Sequence, residues 1–172
     1  MHQRLIKYIN NRATVPLTSE EEAQIMAAFQ PKKLRKRQYF LQEGEVCKNT
    51  CFIVKGAMRQ YRVDADGMEH IVHLYIEDYW ATDRESSTML SPSVYNIDAW
   101  EDCELLVISR ADILDLMGKI PALVEMIRSM DERYAIANNR RLSSTIGQTA
   151  EKRYEEFARI IPSLFSGFPN TL

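Results

Sequence analysis

The spacing of hydrophobic and polar positions changes near Pro31. Before it, Leu5, Ile6, Tyr8 and Ile9 recur at helical spacing, and Thr18-Ser19-Glu20-Glu21 has the spacing of a capping box, so helices are predicted within residues 1–11 and from Ser19 to Phe29. After it, short apolar segments alternate with turn residues such as Gly44, Gly56 and Asp66-Gly67. The seven predicted strands are Leu34–Leu41, Cys51–Val54, Ala57–Val63, Met68–Ile76, Tyr79–Thr82, Val94–Trp100 and Glu104–Ser109. Strands this short and this closely spaced predict an antiparallel β-roll or jelly roll.

Helical spacing returns after the last predicted strand. Ser109 is a predicted N-cap of a short helix that stops at Gly118, and Pro121 is suited to the first turn of a long one. A 4-3-4-3 apolar stripe follows at Leu123, Ile127, Met130, Tyr134 and Ala137. Such a stripe is typical of a helix that pairs with the same helix of a second chain. Packing of the stripe on its own domain is the alternative and stays open.

The pattern as a whole predicts an α+β, mainly β protein in three parts. Residues 1–118 form a β-roll sensor domain with N-terminal helices, residues 119–147 form a dimerisation helix, and residues 148–172 begin a further helix. That last helix carries Tyr154, Phe157, Ile160 and Ile161.

Composition narrows the class of protein. The chain of 172 residues is 45% hydrophobic and 27% charged, which suits one buried core with a helical extension. No apolar stretch approaches the roughly 20 residues that span a bilayer, and the N-terminus lacks the apolar centre of a secretory signal. We therefore expect a cytoplasmic protein without a membrane partner.

Charge is distributed unevenly along the chain. Residues 1–118 carry 14 basic and 18 acidic side chains and residues 119–172 carry 8 and 6, so neither part resembles a strongly basic nucleic-acid-binding surface. The one basic run, Pro31 to Arg37, is interpreted as an edge strand protected by lysines, and a phosphate-tracking patch is the alternative.

Cysteine and histidine placement argues against a metal centre. Cys47, Cys51 and Cys103 are odd in number and irregular in spacing, so reduced thiols are expected rather than a disulfide framework. Strand alternation puts His70 and His73 on opposite faces, where they cannot share one metal ion. This weakens a cupin-like metalloenzyme, and no cofactor is expected.

Several segments together resemble the Crp/Fnr family of bacterial transcription regulators. They are Leu41-Gln42-Glu43-Gly44-Glu45, Phe52 to Arg59, Asp66-Gly67 and Glu104 to Ile108, followed by the two helices. Tyr95-Asn96-Ile97 and Ala150-Glu151-Lys152-Arg153-Tyr154 are similar to the Bacteroidetes branch, and the likeness extends from about Glu20 to Pro162. The resemblance implies a cyclic-nucleotide-binding-like roll, a dimerisation helix and a C-terminal winged helix-turn-helix that binds DNA. No recognition helix is expected before Leu172, so the chain is read as a fragment of a longer regulator or as a free-standing sensor.

The resemblance also identifies an effector site between two strands. In nucleotide-binding members a Gly-Glu pair before a short loop holds the ribose. An arginine follows the loop, because the phosphate needs a cation with backbone N–H groups beside it. In Asp78 to Tyr95 neither is in its expected place, and the only cation, Arg84, lies between Asp83 and Glu85. The usual mode of cyclic AMP binding is therefore not expected. Another small effector could contact the aromatic, hydroxyl and cationic side chains of this segment, which are Tyr79, Trp80, Thr82, Arg84, Ser91, Ser93 and Tyr95. Ordinary packing of the roll is the alternative for each of them.

These observations favour a regulatory sensor over an enzyme. In this hypothesis an unknown effector binds the roll and shifts the long helix between two dispositions in a homodimer, which sets the geometry of the DNA readers in the complete protein. A cupin-like metalloenzyme and a ligand-free dimer scaffold are the alternatives.

Overall fold

The computed structural model describes residues 1–147, apart from the side chains of residue 141 and residues 144–147. The helices are α1 His2–Asn10, α2 Ser19–Ala28, α3 Arg84–Met89, α4 Arg110–Met117 and α5 Pro121–Gly147. The strands are β1 Gln30–Leu34, β2 Tyr39–Leu41, β3 Asn49–Lys55, β4 Met58–Val63, β5 Glu69–Tyr75, β6 Trp80–Ala81, β7 Asn96–Ala99 and β8 Cys103–Ser109. The chain divides into two compact units, Met1–Met126 and a second that begins at Ile127.

Two four-stranded antiparallel sheets build the roll, which confirms the predicted fold class. Their strand orders are β1-β8-β3-β6 and β2-β7-β4-β5. Strand alternation turns one face of each sheet toward the other. The shared core between them consists of Leu34, Leu41, Cys47, Cys51, Ile53, Met58, Tyr75, Ala81, Ile97, Ala99, Cys103 and Leu105.

The predicted first strand, Leu34–Leu41, is wrong because the chain turns in its middle. β1 pairs with β8 in the first sheet, whereas β2 pairs with β7 in the second. The turn between them is closed by the Gln38 N–H, which donates to the Arg35 carbonyl at 2.9 Å, and Arg37 has φ 67°. The described chain therefore has eight strands, and β1 is an edge strand as predicted.

The caps and turns that were predicted from neighbouring residues are present in the structure. The Thr18 hydroxyl accepts from the Glu21 N–H at 3.3 Å, and the Glu21 carboxylate accepts from the Thr18 N–H at 2.8 Å, which confirms the capping box. The Asp66-Gly67 hairpin joins β4 and β5, with Gly67 at φ 82°. Ser109 caps α4 as predicted, accepting from the Asp112 N–H.

Helix α5 begins at Pro121, as predicted. Leu123 and Met126 are fully buried, and the first compact unit ends at Met126. None of the helices between residues 1 and 147 is long and apolar enough to cross a bilayer. The helix predicted within residues 148–172 lies outside the described residues.

Candidate effector site

The segment between β6 and β7 contains a helix that the sequence pattern did not reveal. The predicted strands Tyr79–Thr82 and Val94–Trp100 shorten to β6 and β7, and α3 forms between them. Asp83 is the N-cap of α3, and Leu90 ends the helix in the left-handed conformation at φ 54°. Six mainly polar residues form less than two helical turns and show no apolar periodicity from which a helix could be predicted.

The carboxylate of Asp83 holds the two ends of this segment together. Its Oδ1 accepts from the backbone N–H of Glu85 at 3.1 Å and of Ser86 at 3.3 Å, and its Oδ2 accepts from the Ser93 hydroxyl at 2.6 Å. Asp83 is 5% exposed and Ser93 3%. A buried carboxylate therefore caps the N-terminus of α3, and three uncharged donors satisfy it.

A second set of hydrogen bonds ties the segment to the β2–β3 loop. The Ser86 hydroxyl accepts from the Cys47 N–H at 2.9 Å and donates to the Ser91 carbonyl at 2.6 Å. The backbone of Ser93 pairs with the loop on both sides, because Gly44 N–H donates to its carbonyl and its own N–H donates to the Glu45 carbonyl, each at 2.8 Å. The segment and the loop thus form one hydrogen-bonded layer over the end of the roll.

Trp80 lies on the outer face of its sheet. Its register partner is Phe52, whereas the neighbouring pair, Ala81 and Cys51, belongs to the core between the sheets. The indole packs against aromatic rings from α1, the end of α2 and β3, namely Tyr8, Phe29 and Phe52, with centroids 5.3 to 6.4 Å apart. Within residues 1–147, Trp80 Nε1 is buried without a hydrogen-bond partner.

The other predicted effector residues have different surroundings. Tyr79 is 47% exposed, the Arg84 side chain is exposed, and Ser91 and Tyr95 are partly buried. The Thr82 hydroxyl lies 3.4 Å from Cys47 Sγ. Only Ser93 among the seven is a buried polar member of the layer described above.

A depression of about 390 Å³ lies beside this layer. It is lined by Phe40, Leu41 and residues 45–49, none of which was predicted as an effector contact. Cys47 and Glu45 belong both to this lining and to the hydrogen-bonded layer. A small molecule in the depression would therefore touch the loop that holds the β6–β7 segment.

Sequence reasoning missed the polar groups that organise this region. Asp83 and Ser86 could have been found from the N-cap signal of an aspartate before Glu85 and Ser86. Inside the roll, the buried Tyr75 hydroxyl donates to Gln60 Oε1 at 2.6 Å. That pair joins β4 and β5, and a single sequence does not reveal it.

The histidines of β5 have separate surroundings. His70 Nε2 lies 2.6 Å from Asp64 Oδ2 at the hairpin, and the His73 ring stacks on Tyr75. In the part of the chain that the structure describes, no three His, Cys, Asp or Glu side chains come together as potential metal ligands.

Comparison with known proteins gives the class. The sequence profile of the cyclic nucleotide-binding domain family matches residues 31–119, and the chain belongs to that family. No curated protein sequence is similar enough to count as a relative. With the profile and the roll in agreement, the class is that of cyclic nucleotide-binding domains.

Solved structures share the fold at low sequence identity. The catabolite activator protein of Thermus thermophilus is 21% identical with a TM-score of 0.60, and the match covers 74% of this chain and 59% of that one. A putative Crp/Fnr-family regulator from Eubacterium rectale is 14% identical with a TM-score of 0.67, covering 87% and 70%. The sensor domain of the regulator DNR from Pseudomonas aeruginosa is 18% identical with a TM-score of 0.60, covering 80% and 91%. The chain thus spans less than two thirds of the Thermus protein.

Proposed function

We propose that this chain is the effector-sensing and dimerisation part of a Crp/Fnr-type transcription regulator, with DNA read by a winged helix. The proposal is supported by the family match and by the fold shared with regulators and a regulator's sensor domain. Binding of an effector at the β2–β3 loop and the β6–β7 segment changes the population of two arrangements of the roll and of α5. The chain works as a homodimer in the cytoplasm, and the Bacteroidetes-type branch remains its expected place in the family.

The effector is not a cyclic nucleotide bound in the usual manner. The observation that carries this is the buried carboxylate of Asp83 at the first turn of α3, where it already takes the backbone N–H groups of Glu85 and Ser86. A phosphate brought to these donors would meet a negative charge at low dielectric, and Arg84 is exposed rather than turned inward with the buried residues. We propose a neutral or cationic small molecule instead.

A titration followed by tryptophan fluorescence tests the effector proposal. Cyclic AMP and cyclic GMP at millimolar concentration should give no saturable signal, whereas native mass spectrometry of gently purified protein should retain a neutral or cationic small molecule. Saturable binding of either cyclic nucleotide that Arg84→Gln abolishes would overturn the assignment.

The dimer seam is proposed on α5. Ile127 and Met130 are partly buried in the single chain, and Tyr134 and Ala137 are exposed, whereas Leu123 is buried in the first unit. Sedimentation velocity should show a dimer that Met130→Glu converts to monomer. The matched control is Arg133→Glu, an exposed position of the same helix outside the stripe, which should stay dimeric. A wild-type monomer at high protein concentration would contradict the seam.

A ligand-free dimer scaffold is the second candidate. It is favoured by the way Asp83 and Ser86 satisfy the β6–β7 segment with the chain's own donors and acceptors. The two candidates differ in native mass spectrometry: a dimer whose mass equals two bare chains under every growth condition supports the scaffold, and a retained small molecule supports the sensor.

A further inference from the structure

Three consecutive cations, Arg35, Lys36 and Arg37, occupy the turn that follows β1. Lysines on an exposed edge strand prevent pairing with other chains, and this accounts for Lys32 and Lys33. It does not account for the turn, because β1 ends at Leu34. The three residues, defined here as the basic turn, therefore need another explanation.

The backbone of the basic turn is fixed by hydrogen bonds on both sides. The Arg35 N–H donates to the Gln38 side-chain carbonyl at 2.7 Å, and the Gln38 N–H returns to the Arg35 carbonyl at 2.9 Å. The Arg37 N–H donates to the Ala99 carbonyl at 2.7 Å, and the Lys36 N–H donates to Asp102 Oδ1 at 2.9 Å. Little backbone entropy is left to lose when a partner binds.

Arg37 holds a conformation that does not suit an arginine. A positive φ at the third residue of a four-residue turn favours glycine or asparagine, and Arg37 has φ 67°. A glycine there would relieve the strain and keep the turn. The charge is thus present at a position where backbone geometry disfavours it.

The charges of the basic turn are available to a partner. All three side chains are exposed, and no carboxylate among residues 1–147 lies within ion-pair distance of them. The nearest acidic residue that contacts the turn, Asp102, accepts from the backbone of Lys36. Glu104 pairs with Lys33 on the strand. Residues 32–37 hold five of the 14 cations in a region, 1–118, that carries 18 acidic side chains.

We propose that the basic turn contacts the phosphate backbone of duplex DNA without reading its sequence. Arginine and lysine side chains are the usual phosphate contacts. Two of the three residues are arginines, and one guanidinium can donate to two phosphate oxygens at once. A protein partner is less favoured because protein interfaces centre on apolar or aromatic anchors, and residues 35–38 are all polar. The inference rests on the proposed function, in which the complete regulator is held on DNA.

Salt-dependent binding of the purified 172-residue chain to a mixed-sequence fluorescent duplex tests the proposal. The three phosphate contacts of one basic turn predict a slope of log K against log salt of about −2.7, so affinity should fall at least about 40-fold between about 25 and about 100 mM salt, and further where both turns of a dimer bind the duplex. The variant R35Q/K36Q/R37Q should have a slope near zero. The matched control K7Q/K55Q/R62Q removes the same charge from exposed positions elsewhere and should keep the wild-type slope.

Three results would overturn the proposal: a wild-type slope near zero, a slope unchanged in R35Q/K36Q/R37Q, or tighter binding of polyglutamate than of the duplex, which would assign the turn to an acidic protein. Arg37→Gly provides an independent measurement. It should raise the thermal midpoint of unfolding and reduce the magnitude of the salt slope by about 0.9, the value for one phosphate contact. Dimerisation and effector binding, measured on the same variants, do not depend on the turn. If they persist while DNA binding is absent, this inference fails and the proposed function stands.

Discussion

The guanidinium of Arg59 donates two hydrogen bonds to the carboxylate of Asp98 across strands β4 and β7, at 2.9 and 3.1 Å. Asp98 is 3% exposed, and the Arg59 guanidinium also lies 4.1 Å from the Tyr61 ring centroid. Burial opposes the charge of Arg59, but the hydrogen bonds and charges of Asp98 and Glu69 together outweigh it and raise the pKa of Arg59 above its ordinary value.

Removing the charge of Asp98 should therefore leave a half-buried cation without its main partner. Asp98→Asn is expected to lower the free energy of unfolding by about 3 kcal/mol, measured by urea denaturation. Glu69→Gln removes the more exposed carboxylate of the same arginine, 46% exposed, and should cost about 1 kcal/mol or less. Equal losses for the two variants would contradict the difference in burial.

Gly56 should tolerate no side chain. A Cβ there would lie 2.6 Å from the Asp102 carbonyl oxygen and 2.9 Å from Cys103 Sγ, at a φ of 94°. Gly56→Ala is expected to destabilise the fold by about 3 kcal/mol, visible as a lower thermal midpoint. Gly67→Ala is the control, since it has a similar φ of 82° but open space around it, and about 1 kcal/mol is expected. If both variants melted at the same temperature, the close approach at Gly56 would not matter.

Asp83 should matter more than an ordinary helix cap. Asp83→Ala removes the acceptor of three hydrogen bonds, so we expect a loss of about 1 to 2 kcal/mol and faster amide exchange at Glu85 and Ser86. Ser109→Ala removes the cap of α4 and should speed exchange only there. Unchanged exchange around α3 in Asp83→Ala would show that the segment is held by other contacts.

The thiols of Cys51 and Cys103 should be unreactive in the folded protein. Burial raises the pKa of Cys103 to about 11, and burial raises that of Cys51 further. The thiolate is the nucleophile, so labelling of these thiols by a disulfide reagent at pH 8 should be slower in the native protein than in denaturant. The expected difference is at least about 100-fold, on the order of the difference in thiolate fraction. Rapid labelling of the native protein would mean that the roll opens locally.

The Asp64 carboxyl should titrate below its ordinary pKa of 3.8, because the His70 side chain and then the Met68 N–H donate to it. A folded pKa below the unfolded one means that the contribution to stability is present above the ordinary pKa and is lost as pH falls through the folded value. His70→Ala should raise the Asp64 pKa toward 3.8, which a carbon-detected NMR titration would measure. An unchanged pKa would assign the effect to the backbone amides alone.

The sequence predicted those elements whose cause is local. The capping box of Thr18 and Glu21 and the Asp66-Gly67 turn are complete within a few residues, so their residue types suffice. The break after Leu34 was missed because the residue type of Arg37 gives no sign of its left-handed conformation, and the polar run before Tyr39 was interpreted as part of an edge strand. Helix α3 was missed because its six residues are mainly polar.

The predicted effector contacts stay a prediction, and their surroundings show why a sequence alone does not place them. Tyr79, Trp80 and Tyr95 were chosen for aromatic area, yet the face on which an aromatic ring lies depends on which sheet face the N-terminal helices cover. Trp80 is on the covered outer face, against Tyr8 and Phe29. The organising contacts, such as Cys47 N–H to Ser86 Oγ, join residues 39 positions apart and have no local pattern.

The indole of Trp80 also provides an intrinsic fluorescence probe of this region. The indole nitrogen is shielded from water, and the ring contacts Phe52 of β3. Trp80 is the first residue of β6, the strand that precedes α3. Emission from this ring should be blue relative to that of a solvated tryptophan, and it should shift whenever the layer at the end of the roll rearranges. The other tryptophan, Trp100, lies beside Arg59 and provides an internal reference on the opposite sheet.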